Sequence, residues 1–174
     1  MGQYGIGQSI KRFEDPRLVR GEGRFHADVN LPGQAYVVIV RSLHAHARIV
    51  SINTAAALRA PGVVAVFTGP DLARDKLGTM KMTLKRKRPD GSPMFAPPHR
   101  GLTQDRVRYV GDPIALVIAE TLAEAEDAAE MVRVEYEPLP SVTSTGEAVG
   151  GAPVWDECPD NVSTSWRAMS SSRS

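Results

Sequence analysis

Short runs of aliphatic and β-branched residues, each bounded by turn formers, constrain this 174-residue chain more than any other feature. Runs of this kind predict half-buried or buried strands. The predicted strands are Tyr36–Arg41 and residues 48–52, 63–67, 106–110, 114–119 and 132–136. All are far shorter than the roughly 20 apolar residues that cross a bilayer, so we expect no membrane segment and a cytoplasmic protein.

A capping box marks the best-defined helix. Thr121 precedes an alanine-rich stretch, and Glu124 follows three residues later, which is the T-x-x-E pattern of a helix N-terminus. The helices predicted in this way are residues 122–131, a short turn over 55–59 after Asn53 or Thr54, and a second turn opening at 68–72. The predicted fold class is therefore α+β, with short mixed strands and two or three short helices.

The order of strand, helix and strand across residues 114–136 is consistent with a βαβ unit. The joint at 131–132 is too tight to define whether its two strands run parallel. The sequence therefore predicts both strands without their pairing.

The length predicts one domain with appended segments. Residues 1–24 are rich in glycine and charge and predict an extended N-terminal arm. Residues 25–150 are the predicted domain, interrupted by a long loop at 76–104 that carries prolines and no hydrophobic period. Turn formers dominate residues 151–174, which predicts an irregular tail.

No set of residues along the chain assembles a catalytic or metal site. His44 and His46 would point to one face of a strand, but no third ligand is near them in sequence, and a structural or interface role is favoured. Cys158 is the single cysteine, which excludes an internal disulfide. Its neighbours Asp156, Glu157 and Asp160 are expected to raise its thiol pKa. We therefore predict no catalytic, cofactor-binding or metal-binding residue.

The basic run at residues 85–88 (KRKR) is the strongest local charge in a chain of formal net charge +1. It lacks the interleaved aromatic residues that stack on bases, so binding of nucleic acid is disfavoured. A solvated loop or a patch that faces a partner is the favoured interpretation.

Seven phrases in this order and spacing point to one family. They are residues 10–18 (IKRFEDPRL), 21–25 (GEGRF), 41–49 (RSLHAHARI), 61–66 (PGVVAV), 106–115 (RVRYVGDPIA), 125–130 (AEDAAE) and 136–140 (YEPLP). Together they resemble the N-terminal α/β-hammerhead domain of the large, molybdopterin-binding subunit of molybdenum hydroxylases. That family includes xanthine dehydrogenase, aldehyde oxidase and aerobic carbon monoxide dehydrogenase.

The resemblance implies part of an oxidoreductase that hydroxylates a substrate carbon, or oxidises carbon monoxide, at a molybdenum–molybdopterin cofactor. In the family, the catalytic glutamate and most cofactor contacts lie in long domains downstream of the hammerhead. Electrons leave through iron–sulfur and FAD subunits. The implied partners are therefore those molybdopterin-binding domains and those two subunits, and no catalytic residue is carried over to this chain.

The family pattern stops after residue 167, which predicts a truncated or split large subunit that is not catalytically competent alone. The residues predicted to dock against the missing domains are Arg41, Ser42, His44, His46 and Arg48, and the 76–104 loop is predicted to belong to the same exposed face. The alternative is a stand-alone interaction module that binds an acidic protein or nucleic acid through residues 81–88.

Overall fold

The computed structural model describes residues 11–165 of the chain. The helices are α1 (Asp15–Val19), α2 (Gly69–Arg74), α3 (Leu122–Glu130) and α4 (Thr145–Ala148), with 3-10 turns at His26–Asp28 and Ala57–Arg59. The strands are β1 (Tyr36–Arg41), β2 (Ala47–Asn53), β3 (Val63–Thr68), β4 (Thr79–Met80), β5 (His99–Arg100), β6 (Arg106–Val107), β7 (Pro113–Ala119) and β8 (Arg133–Pro138). This mixture of short strands and few helices confirms the α+β class.

The described chain divides into two compact units, the first ending at Gln34 and the second beginning at Ala35. The first unit contains α1, so the arm predicted to be extended is helical at Asp15–Val19. Residues 1–10 of that arm, and the point after residue 167 where the family pattern stops, lie outside the described residues.

The second unit contains two three-stranded antiparallel sheets, besides the two-stranded pair of β4 and β5. The first has the order β1-β7-β3 and the second the order β6-β2-β8. In the first sheet Val117 lies opposite Val38 of β1 and Val66 of β3, so both edges of β7 are occupied. In the second sheet β8 pairs with β2 from Ala47 to Asn53.

The βαβ interpretation of residues 114–136 is wrong. β7 and β8 belong to different sheets, and α3 connects the two sheets. Because β1 and β3 already pair with both edges of β7, β8 pairs with β2 in the second sheet instead.

The capping box that the sequence predicts forms at the start of α3. The Glu124 backbone N–H donates to Thr121 Oγ1 at 3.2 Å, and the Thr121 N–H donates to Glu124 Oε2 at 3.1 Å. Two buried alanines, Ala125 and Ala128, then let α3 lie close to the first sheet. The predicted helix at 122–131 is thereby confirmed, ending one residue early at Glu130.

Two hydrophobic clusters share β7. Ala115 and Val117 lie with Ala128 of α3 in one cluster, and Ile114 lies with Val107 in the other. Residues 114 and 115 point to opposite faces of a strand, so β7 contributes its two faces to the two clusters. No helix in the described part of the chain is long and apolar enough to cross a membrane.

Gly62 permits the close approach of α3 to the turn before β3, and its replacement tests that packing. Its φ of +70° is unfavourable for any residue with a Cβ, and a Cβ there would overlap the Glu124 carboxylate. We expect Gly62→Ala to lower the free energy of unfolding by about 2 kcal/mol in urea titrations. Gly111→Ala is the matched control, since Gly111 has a φ of +92° but open space around it. Equal losses for the two variants would show that contact with Glu124 does not matter.

Candidate functional site

Of the residues that the sequence predicts for docking, Arg41 ends β1 and Arg48 lies near the start of β2. The loop between these strands, residues 42–46, carries the other three. Its first residue, Ser42, is buried and bonded to the loop before β7: the Ser42 N–H donates to Asp112 O at 2.9 Å, and the Gly111 N–H donates to Ser42 O at 2.8 Å. The Ser42 hydroxyl accepts from the His44 N–H and donates to the His44 carbonyl. Ser42 therefore holds the loop in place from inside the chain.

His44 and His46 lie in this loop rather than on a strand, so they do not share a strand face. The His44 ring packs against Tyr136, with ring centroids 4.6 Å apart. His46 is buried, and its Nδ1 lies 2.7 Å from the Pro140 carbonyl oxygen. A carbonyl only accepts, so Nδ1 carries the proton, while the buried Nε2 has no partner among the described residues.

The exposed residues around the loop at 42–46 are not the same as the docking residues that the sequence predicts. Arg41 is exposed and donates to the Gly111 carbonyl at 2.9 Å, and Arg48 pairs with Glu137 at 3.2 Å on the surface. Leu43 is 89% exposed. Sequence reasoning passed over it, although a leucine in a turn between two strands is an available signal.

Two further apolar residues are exposed on the loop bonded to Ser42. Tyr109 is 56% exposed and Val110 is 64% exposed. We call residues 41–48 together with residues 109–110 the docking surface. Exposed apolar groups on adjacent loops are typical of contact surfaces.

The segment at 76–104, predicted as a loop without secondary structure, is an irregular hairpin. β4 and β5 pair at its base, and Lys87 and Pro93 form an isolated antiparallel bridge near its tip. The turn is the Pro-Asp-Gly signal of the sequence: the Gly91 N–H donates to Arg88 O at 2.9 Å, and Gly91 has a φ of +85°. The absence of a hydrophobic period did not predict the hairpin because its two paired regions are too short to show one.

Arg88 is set apart from the rest of the basic run. Its guanidinium bonds both carboxylate oxygens of Asp160 at 3.1 and 3.2 Å and also donates to the Val162 and Ser163 carbonyls. The expectation that residues 85–88 form one solvated basic patch is therefore wrong for Arg88. We call this cluster of Arg88 with residues 158–163 the tail clamp.

The irregular tail contacts Phe95 of the hairpin and Arg108, which follows β6, and the sequence singled out neither side chain. The Arg108 guanidinium lies 3.6 Å from the centre of the Trp155 ring, and Phe95 lies against the same ring at 5.8 Å between centroids. Cation–π stacking of this kind orders a residue without regular structure. The Asn161 side chain donates to the Ala148 and Ala152 carbonyls and accepts from the Val154 N–H.

Cys158 is buried within the tail clamp. Burial raises the pKa of its thiol, the hydrogen bond and charge of Asp160 raise it further, and Arg88 partly opposes them. The predicted rise of the thiol pKa is confirmed. Of the neighbouring acids, Asp160 contacts the thiol, with its Oδ1 3.5 Å from Cys158 Sγ, whereas Asp156 pairs with Arg106 at 3.3 Å. A protonated, buried thiol is a poor nucleophile.

A cavity of about 240 Å³ lies beside the tail and is lined in part by Asp112, Arg106 and Trp155. The Asp112 carboxylate accepts from the Thr103 hydroxyl at 2.8 Å and from the Arg108 N–H at 3.0 Å, so it is committed to holding its own loops. Among residues 11–165, no group of three or more His, Cys, Asp or Glu side chains is placed to hold a metal ion.

The sequence of this chain matches one class of domain. The sequence profile described as "Aldehyde oxidase and xanthine dehydrogenase, a/b hammerhead domain" matches residues 20–140. The chain therefore belongs to the family of molybdenum hydroxylase large subunits, whose hammerhead domain it matches.

Individual relatives agree. The nicotine 6-hydroxylase large subunit of Paenarthrobacter nicotinovorans is 40% identical over 94% of this chain and 19% of its own length. The carbon monoxide dehydrogenase large chain of Afipia carboxidovorans is 38% identical over 83% of this chain and 17% of its own. The crystal structure of quinoline 2-oxidoreductase from Pseudomonas putida 86 superimposes with a TM-score of 0.68 at 41% identity, covering 84% of this chain and 18% of that one. The chain thus spans less than a fifth of the length of these relatives.

Removing Arg88 should open the tail clamp. Because Cys158 is the single cysteine of the chain, alkylation reports its accessibility without ambiguity. We expect Arg88→Met to raise the plateau rate of alkylation at high pH, where the thiol is ionised, by about tenfold. Lys87→Met is the matched control, since the Lys87 side chain makes no ion pair in the described structure. The clamp would be refuted by identical plateau rates in the two variants.

The stability of the tail clamp should fall in acid, because Asp160 becomes protonated. The Val162 N–H and then the Arg88 guanidinium hold the pKa of its carboxyl below the ordinary value of 3.8. Its stabilising contribution is therefore present above that value and lost as the pH falls through the lower folded pKa. In an NMR titration we expect the Val162 amide shift to change with a midpoint below 3.8, and Arg88→Met to move that midpoint upward. A midpoint at or above 3.8 in the unmodified chain would contradict this account.

Proposed function

We propose that this chain is the hammerhead portion of a molybdenum hydroxylase large subunit and that it contributes to catalysis by assembly rather than by chemistry of its own. The match of the family profile to residues 20–140 carries the proposal. It is supported by relatives whose names are those of nicotine, carbon monoxide and xanthine enzymes. The substrate would be a small molecule oxidised in the manner of one of those enzymes.

The molybdenum–molybdopterin cofactor of such an enzyme would be held outside this chain. The residues described here offer no cluster of metal ligands, and the Asp112 carboxylate beside the 240 Å³ cavity is already bonded by Thr103 and Arg108. These residues do not fit the cofactor, so no catalytic step is assigned to them. The remainder of the large subunit would bind it, and iron–sulfur and FAD subunits would receive the electrons.

The docking surface is the proposed contact with the remainder of the subunit. Leu43, Tyr109 and Val110 expose apolar area, and Arg41 and Arg48 add charge near it. The buried Ser42, bonded to Asp112 and Gly111, joins the two loops, so a partner would meet a preformed surface. His44 and His46 would act by shaping the loop from within.

A chimera tests this function. The aligned residues of this chain would replace the matching segment of the Paenarthrobacter nicotinovorans nicotine 6-hydroxylase large subunit, with which they are 40% identical. We expect the chimera to assemble and to retain bound molybdenum, measured by size-exclusion chromatography and elemental analysis. Leu43→Asp in the chimera should reduce both severalfold, because it places a charge in an apolar contact.

The matched control is Leu122→Asp. Leu122 is also exposed, at 48%, but stands at the first position of α3, where an acid is favourable for a helix. A chimera that folds but neither assembles nor binds molybdenum would refute the proposed function. Equal effects of the two substitutions would refute the location of the docking surface.

A further inference from the structure

An apolar groove with a basic rim lies on the hairpin at 76–104, apart from the docking surface. The groove has a volume of about 680 Å³, room for several side chains. Its apolar lining includes Met80, Met82 and Met94, which are three of the six methionines of the chain. Flexible thioether side chains of this kind adapt to the side chains of a partner.

The charged residues of the groove are all positive. Four cations line it, at Lys81, Lys85, Arg86 and Lys87, and none of the described lining residues is acidic. The whole chain has a formal net charge of only +1, so the groove concentrates charge that is balanced elsewhere. Arg88, the next residue, is neutralised by Asp160, whereas none of these four makes an ion pair within residues 11–165. Complementarity therefore selects an acidic occupant.

Part of the groove backbone also lacks hydrogen-bond partners within the described chain. Between the base of the hairpin, where Met80 pairs with His99, and its tip, where the Met94 N–H donates to Arg86 O, residues 82–85 make no backbone hydrogen bond within the described chain. Such a stretch can pair with an added extended segment, whose alternate side chains then enter the apolar lining.

Nucleic acid fits this surface less well. The groove has no aromatic lining residue on which bases could stack. Phe95, the aromatic residue nearest in sequence, packs against Trp155 in the tail instead. We propose that the groove binds an extended, acidic peptide segment of another protein that alternates carboxylate and apolar side chains, with its backbone paired to residues 82–85.

This inference goes beyond the proposed function, because the groove shares no residue with the docking surface. It is tested on the isolated 174-residue chain, whereas the chimera tests the docking surface, so each can fail separately. The ligand used is a fluorescein-labelled peptide of alternating valine and glutamate with blocked ends. We expect saturable binding by fluorescence anisotropy that weakens as salt rises, and no binding of the same peptide with lysine in place of glutamate.

Two groove variants and one control variant sharpen the test. Lys85→Glu combined with Arg86→Glu should weaken binding at least about tenfold, and Met82→Ser should weaken it severalfold without a change of charge. The control, Arg59→Glu combined with Arg133→Glu, reverses two exposed charges that do not line the groove and should leave binding unchanged. Thermal melting confirms that each variant is folded.

Hydrogen exchange examines the backbone directly. Within residues 82–85, the alternate amides that face the acidic peptide should gain protection when it binds, since only those N–H groups would donate to its carbonyls. Equal binding of the lysine peptide, absence of protection at 82–85, or tighter binding of a single-stranded oligothymidine at the same salt would each overturn the proposal. So would self-association of the chain that the groove variants abolish while the acidic peptide fails to bind, because the occupant would then be a second copy.

Discussion

The pairing of β7 on both edges is the constraint on which the second unit depends. With β1 on one side and β3 on the other, β7 leaves no free edge for the strand that follows α3, and β8 therefore enters a second sheet. Ala115 and Ile114 then face different hydrophobic clusters, so β7 lies between the two clusters and contributes side chains to both. The docking surface lies where the chain enters β7, because Asp112 and Gly111 bond the loop that follows β1.

Hydrogen bonds, an ion pair and cation–π stacking order the tail, whereas apolar burial stabilises the sheets. Residues 151–165 contain no helix or strand, yet Arg88 of the hairpin bonds Asp160, and Arg108, outside the hairpin, stacks on Trp155. The same arrangement divides the basic run: Arg88 is neutralised inside the tail clamp, and the cations before it remain at the groove. Exposed ion pairs contribute little alone, so the stacking and the carbonyl contacts of Arg88 carry much of the order.

The two proposed surfaces would give the domain two ways to contact other chains. The docking surface exposes Leu43, Tyr109 and Val110 on two hydrogen-bonded loops, which suits a permanent contact inside a large subunit. The groove is basic, lined with methionine and open along its backbone, which suits a segment that binds in extended form. Membership of the molybdenum hydroxylase family supports the proposal of the first surface, and the second is inferred from the lining of the groove.

Features with a strong local signal could be predicted from the sequence, although the short helix at Asp15–Val19 could not. Hydrophobic runs fixed most of the strands, the Thr121–Glu124 capping box fixed α3, and the Pro-Asp-Gly signal fixed the turn before Ser92. The seven phrases identified the family. Tertiary structure decided what depends on residues distant in the chain: which sheet receives β8, the burial of His46 against Pro140, and the pairing of Arg88 with Asp160 across 72 positions. A local pattern specifies an element, but it carries no information about which distant group will complete a hydrogen bond or fill a sheet edge.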